Sequence, residues 1–440
     1  MSRRRCRGPR FHRRRAHTQA PRRAPPDTRP RRRVSSCPPP GRGLAPARAP
    51  AGGLVRAPGG GTPALPEAGS LGGHTARQLL RLCEVVGLGG SDAAAYARVL
   101  LEALGPAAER PLDLPPAQPT FLSDDHTPVE FSLSFVPDAA PTLRVLLEPG
   151  CGAGTLAHNG RTGLRFLRET ARRWAFPTDR LDELEDLFFP AVPEGPLALW
   201  CALELRPGGV PRVKAYLNPA ARGADRAADT VREALARLGH ERAFDSLPGA
   251  DRHLFFALDL GDWDAPRAKV YLAHQDLSAS EAAALSRTVA GPPGEETETF
   301  FHIAAGLAPG DEADPGRGER LARRPVQSCH AFTETATGRP SGFTLHVPVR
   351  DYAAHDGEAL ARATALLGRH GIDDGVLYEA TRALTARRPE DGVGLVAYLS
   401  AAHQAGHPPR VTTYLSSEAY HVRPPAPSRL GRSAVARTVR

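Results

Sequence analysis

The sequence predicts an α+β protein: a ten-stranded antiparallel β-barrel built from five αββα repeats, with its helices outside. Three observations predict it. Strand-like segments occur in five pairs, each joined by a turn-forming stretch such as RPGGVP or ATGRPSG. Amphipathic helical stretches separate the pairs, at a repeat of roughly 55–75 residues. Along the second strand of each pair, one alternating face is polar and the other apolar. Repeats of this length with internal antiparallel pairs fit a closed sheet better than a parallel α/β fold. Closing ten strands removes the sheet edges and leaves a lumen wide enough for a ligand.

The elements follow in chain order. Residues 1–60 hold 17 arginines and one aspartate with many prolines and glycines, and bulky apolar residues are almost absent. Such a stretch cannot bury enough surface to offset its ordering entropy. Residues 1–70 are therefore expected to be a disordered Arg/Pro-rich tail, or sequence upstream of the true start. Residues 71–422 read as the barrel, and 423–440 as a flexible C-terminal tail. Residues 79–104 have helical apolar spacing. The strand pairs are VEFSLSF with TLRVLLE, ALWCALEL with RVKAYLN, HLFFALDL with RAKVYLA, SCHAFTE with FTLHVPV, and GLVAYLS with RVTTYLS. RTGLRFLRETARRW, ADTVREALARLG, SASEAAALSRTVA and GEALARATALLGRHG read as the intervening helices.

Aligning the five second strands places Arg144, Lys214, Lys269, Thr344 and Thr412 at one position. Two residues on, the same face shows Leu146, Tyr216, Tyr271, His346 and Tyr414; two before, Thr142, Arg212, Arg267, Gly342 and Arg410. The opposite face carries Val145, Val213, Val270, Leu345 and Val411, which suits packing under helices. A lumen lined with cations and phenols describes an anion-binding tunnel. The lysines are telling. Lys+Arg total 57, yet only two are lysine, and both stand in a Lys-x-Tyr frame. A compact ammonium is wanted there where a planar guanidinium will not serve.

Composition narrows the function classes. The tail's excess of positive charge exceeds the chain's +9, so the rest of the chain is net acidic. The tail lacks interleaved aromatics, and no nucleic-acid partner is expected. No run of 18 apolar residues occurs, so no membrane partner is expected and a cytoplasmic protein is. The six cysteines form no Cys-x-x-Cys pair and the histidines no His-Glu-x-x-His, so no metal site is expected. The chain is expected to act as a monomer or homodimer.

The segment Pro128-Val129-Glu130-Phe131-Ser132, Arg144, the frames around Lys214-Tyr216 and Arg267-Lys269-Tyr271, and Tyr398 with Tyr414 resemble aromatic prenyltransferases of the dimethylallyltryptophan synthase type, bacterial branch. The resemblance implies transfer of a dimethylallyl group from its diphosphate, the co-substrate, to an indole carbon of tryptophan or a related indole. No cofactor or metal is implied, and the partners are an aromatic acceptor and an allylic diphosphate. Arg144, Lys214, Arg267 and Lys269 would bind the diphosphate, with Arg410 added by the repeat alignment. Tyr216, Tyr271, His346, Tyr398 and Tyr414 would shield the allylic cation. Glu130 would accept the indole N–H, and Lys214 would assist removal of the ring proton. Arg252, just before the fifth strand's core, is the candidate for the acceptor's carboxylate. His346 departs from the tyrosine expected in its slot.

Two other readings compete. LRVLLEPGCGAGTLA, with Gly150, Gly152 and Gly154, resembles the glycine-rich first motif of a methyltransferase that uses S-adenosylmethionine. A non-catalytic binding barrel would keep the fold without the chemistry.

Overall fold

The structure, a computed structural model, describes residues 65–261, 263–288, 294–307, 320–333 and 335–426. The tail expected over 1–70 lies outside them up to residue 64, and the C-terminal one beyond 426. The described residues reach past both expected tail boundaries. Ser70 caps the first helix by accepting from the Gly73 amide, and Arg77 donates to the Pro66 carbonyl at 3.1 Å. At the other end Arg423 bridges Val393, and the Ala426 amide donates to Ala354 at 2.8 Å.

Ten antiparallel strands form a closed barrel. They are β1 (Val129–Phe135), β2 (Thr142–Leu147), β3 (Leu199–Glu204), β4 (Arg212–Leu217), β5 (Arg252–Leu260), β6 (Ala268–His274), β7 (Val326–Phe332), β8 (Gly342–Val347), β9 (Val396–Gln404) and β10 (Arg410–Ser416). Each strand pairs with its sequence neighbours, and β1 closes on β10 with Ser132 opposite Tyr414. This is the five-hairpin barrel predicted. Short hairpin turns fringe one end; the helical connections leave from the other.

Alternation divides every strand between two environments. Phe131, Leu133 and Phe135, with Val213, Val270, Leu345 and Val411, are buried on the outer face. The helices cover that face, because their apolar stripes have nowhere else to go. Helix Leu156–Trp174 turns Leu164 and Leu167 inward, and Thr155 caps it by accepting from His158. Helix Ala279–Ser286 starts with a capping box between Ser278 and Glu281.

Residues 79–104 are not one helix. Gly87, at φ 73°, ends helix Leu71–Val85 and a second runs over Gly90–Leu104; glycine adopts that left-handed turn without a Cβ penalty. Helices Gly294–Ala305 and Gly375–Leu384 extend the predicted set. Among the described residues, no helix is long and apolar enough to cross a membrane.

Candidate active site

The register brings the lumen residues into rows. Glu130 lies opposite Leu146, Leu146 opposite Ala202, Ala202 opposite Lys214, and Lys214 opposite Asp259. The next row runs Trp200, Tyr216, Ala257, Lys269. Another runs Phe255, Tyr271, Cys329, Thr344, Ala402, Arg410. Because side chains alternate strictly, one correct register places all of these on the lumen side.

Their central chamber is lined by Arg144, Lys214, Lys269 and Arg410 together with Glu130, Tyr216, Tyr271, His346 and Tyr414. Arg267 borders the same channel just beyond Lys269. So many buried cations would repel one another without counter-charge. Two carboxylates that the sequence analysis missed supply it. Arg144 Nε donates to Glu204 Oε2 at 2.9 Å, and Lys214 Nζ lies 3.9 Å from the same oxygen. Arg267 Nε donates to Asp259 Oδ2 at 2.6 Å, and Lys269 Nζ lies 3.9 Å from Oδ1. Both acids were detectable, since Glu204 and Asp259 stand at alternating polar positions of ALWCALEL and HLFFALDL.

The cluster is under-neutralised. Burial, then the neighbouring Lys269 and Arg144, push Lys214 well below the ordinary lysine range. Burial lowers Lys269 to about 8, although Asp259 opposes it. Arg410 Nε is buried without a hydrogen-bond partner among the described residues. An incoming polyanion would relieve all three. Trp263, in the β5–β6 turn, backs the cluster: its ring centroid lies 4.9 Å from Arg212 Cζ, 4.7 Å from Lys214 Nζ and 5.2 Å from Arg267 Cζ. The indole N–H donates to the Leu260 carbonyl at 2.8 Å and so fixes the ring.

Aromatic rings form the other half of the chamber. Tyr216 and Tyr271 centroids are 5.7 Å apart, Tyr271 and His346 5.8 Å, His346 and Tyr414 5.7 Å, and Tyr414 and Tyr398 6.4 Å. His346 takes the fourth tyrosine's place in this belt. Burial, with Lys269 and Arg410 nearby, lowers it to about 4, so it is a neutral ring like its neighbours. Its Nε2 and the Tyr414 hydroxyl share a hydrogen bond of 3.2 Å.

Beyond the belt, the channel widens into a vestibule lined by Leu122, Trp200, Phe255 and Tyr398, with Glu130 at the boundary. Burial raises Glu130 to about 8, against the pull of Arg350 and with the push of Asp124. Arg350 and Arg324 line this vestibule; Arg350 Cζ lies 5.0 Å from the Tyr398 centroid and its Nη2 3.1 Å from Asp124 Oδ1. Arg252, the sequence candidate for this role, is exposed at the start of β5 and outside the channel. A register shift between His253 and Phe255 sets Arg252 opposite Ala273, so the parity of Phe255, Ala257 and Asp259 does not carry over to the strand's exposed start. Arg324 comes from a loop and Arg350 from the single 3-10 turn Val349–Asp351, where no periodicity marks a residue's direction.

The glycine motif has another role. Gly150, Gly152 and Gly154 take φ of 83°, 85° and 89° in the turn leaving β2, and a Cβ on Gly150 would meet the Asn159 carbonyl at 2.9 Å. The helix that follows leads to an antiparallel strand, not to the parallel one a nucleotide-binding crossover needs. The methyltransferase reading is therefore excluded by topology.

A closed barrel with a cationic chamber, an aromatic belt and a carboxyl at the boundary defines an aromatic prenyltransferase. A family model described as tryptophan dimethylallyltransferase matches residues 93–379, and the chain belongs to that family. It is 62% identical to 5-dimethylallyltryptophan synthase from Streptomyces coelicolor, a structure in complex with DMASPP and Trp, over 83% of this chain and 100% of that one, with a TM-score of 0.77. Identity is also 62% to prenyltransferase PriB in a ternary complex with L-tryptophan and dimethylallyl thiolodiphosphate, over 82% of this chain and 99% of that one, TM-score 0.78. 6-dimethylallyltryptophan synthase from Micromonospora olivasterospora is 40% identical over 81% and 99%, TM-score 0.74.

Proposed function

We propose that this chain transfers a dimethylallyl group from dimethylallyl diphosphate to a benzenoid carbon of L-tryptophan, without a metal ion, in the cytoplasm. The observation that carries the reading is the junction of two unlike spaces at Glu130. An under-neutralised cationic chamber meets an aromatic vestibule there. Relatives at 62% and 40% identity are named for carbons 5 and 6 of the same acceptor and were solved with a donor analogue and tryptophan. The free thiols of Cys83, Cys151, Cys201 and Cys329 suit a reducing compartment.

The residues divide the work. Arg144, Lys214, Lys269, Arg267 and Arg410 take the diphosphate, so charge building on the leaving oxygens is met by fixed donors. Tyr216, Tyr271, His346, Tyr398 and Tyr414 surround the allylic cation with ring faces and exclude water. Glu130 accepts the indole N–H, which orients the ring and increases its nucleophilicity. Arg350 and Arg324 hold the amino-acid carboxylate, in place of Arg252. After the new C–C bond forms, Lys214, which lines the chamber beside the aromatic belt, assists removal of the ring proton. Incubation with L-tryptophan and dimethylallyl diphosphate should give tryptophan plus one dimethylallyl unit, with NMR locating the new bond on the benzenoid ring. An unmodified acceptor, or attachment to the pyrrole ring, would refute the proposal.

A further inference from the structure

The channel continues behind the cations. Lys269, Thr344, Ala402 and Arg410 line the central chamber and also a second space on its far side. That space runs past Arg267 and Gln404 to His407 and Pro408. Both of these are exposed, so among the described residues the space reaches the surface between the hairpin turns, at the end opposite Glu130.

The two ends differ in chemistry. Towards the vestibule, an anion would have to pass the belt of Tyr216, Tyr271 and Tyr414, whose ring faces carry negative potential. That route is also where the acceptor sits. Towards the rear, the lumen positions are small: Ala331 is opposite Gly342, and Gly342 opposite Gln404. Arg267 and Arg410 line that path, Arg267 Nη1 donating to Gln404 Oε1 at 3.2 Å and Arg410 offering its unpartnered Nε. A groove of one charge sign with low-dielectric walls steers a counter-ion along it.

We infer that this rear space is a port for inorganic pyrophosphate, which leaves through it while the prenylated acceptor still occupies the vestibule. The inference rests on the proposed use of an allylic diphosphate donor. Pyrophosphate departs intact, handed from Lys269 and Arg410 to the rim at His407. Acceptor and pyrophosphate therefore exchange independently, through opposite ends of the barrel.

Radiolabelled pyrophosphate binding by rapid filtration tests this without turnover, so it is separable from the transfer assay. The wild-type protein should take up pyrophosphate equally fast with and without saturating L-tryptophan. His407→Glu places a negative charge at the exposed rim and should slow uptake about tenfold at low ionic strength, with the effect shrinking as salt rises. Ala331→Leu narrows the rear space and should slow uptake whether or not tryptophan is present. The port is overturned if tryptophan abolishes pyrophosphate uptake, if His407→Glu and Ala331→Leu both bind at the wild-type rate, or if the wild-type protein binds no pyrophosphate.

Discussion

Lys269 Nζ stands 3.9 Å from Asp259 Oδ1, while Arg267 takes the other oxygen of the same carboxylate at 2.6 Å. One buried acid thus serves two cations, with Lys214 directly across the strand pair. The arrangement keeps the cations together and leaves them short of negative charge. Asp259→Asn should cost about 3–5 kcal/mol of stability, because breaking a buried pair strands the cations. Thermal unfolding checks this, and saturating pyrophosphate should restore part of the loss by binding only the folded state.

The pH dependence follows from two groups. Glu130, raised to about 8, is protonated in the free protein at neutral pH and becomes an acceptor as pH rises through 8. Lys269, lowered to about 8, loses its charge over the same range. kcat/KM for tryptophan should therefore rise towards pH 8, and kcat/KM for the donor should fall above it. Glu130→Gln should remove the rising limb only.

The same substitution separates function from stability. A carboxyl whose pKa is raised on folding favours the folded state below its unfolded value and loses that contribution as pH rises to about 8. Glu130→Gln should consequently raise stability by about 2–4 kcal/mol above pH 8 and by little near pH 4. It should also lower kcat by about 10²–10³. Unfolding curves at the two pH values and steady-state rates report both.

How much of this was legible beforehand depends on periodicity. The barrel, Glu130 and the cations of the second strands follow from alternation, because a strand residue's side is set by its parity. Glu204 and Asp259 obeyed the same rule on the first strands. Arg252 stands exposed at the start of β5, before a bulge at His253–Phe255 across which parity does not carry. Trp263, Arg324 and Arg350 lie outside the strands, and their directions emerge only once the barrel is closed. The break at Gly87 shows the converse: one glycine in a helical pattern can end the helix when its φ turns positive.

Trp263 provides a test of the donor side. Trp263→Ala removes the ring face shared by Lys214, Arg212 and Arg267 and should raise the donor KM about tenfold while leaving the acceptor KM unchanged. Trp263→Phe should recover most of the loss, which a purely structural role for the N–H would not allow.

The acceptor side has its own comparison. Arg350→Met should weaken L-tryptophan about tenfold or more, the value of a charge-assisted pair, and tryptamine, which lacks the carboxylate, should bind the two proteins alike. Arg252→Ala, at an exposed position, should change neither constant.

The central claim is that the protein's own cations ionise the donor. Prenyl transfer should therefore be measured with L-tryptophan and dimethylallyl diphosphate in excess EDTA, beside the same reaction with magnesium. Equal rates in the two, both lost in a Lys214→Ala, Lys269→Ala double variant, are expected. Turnover that appears only when magnesium is supplied would contradict the claim.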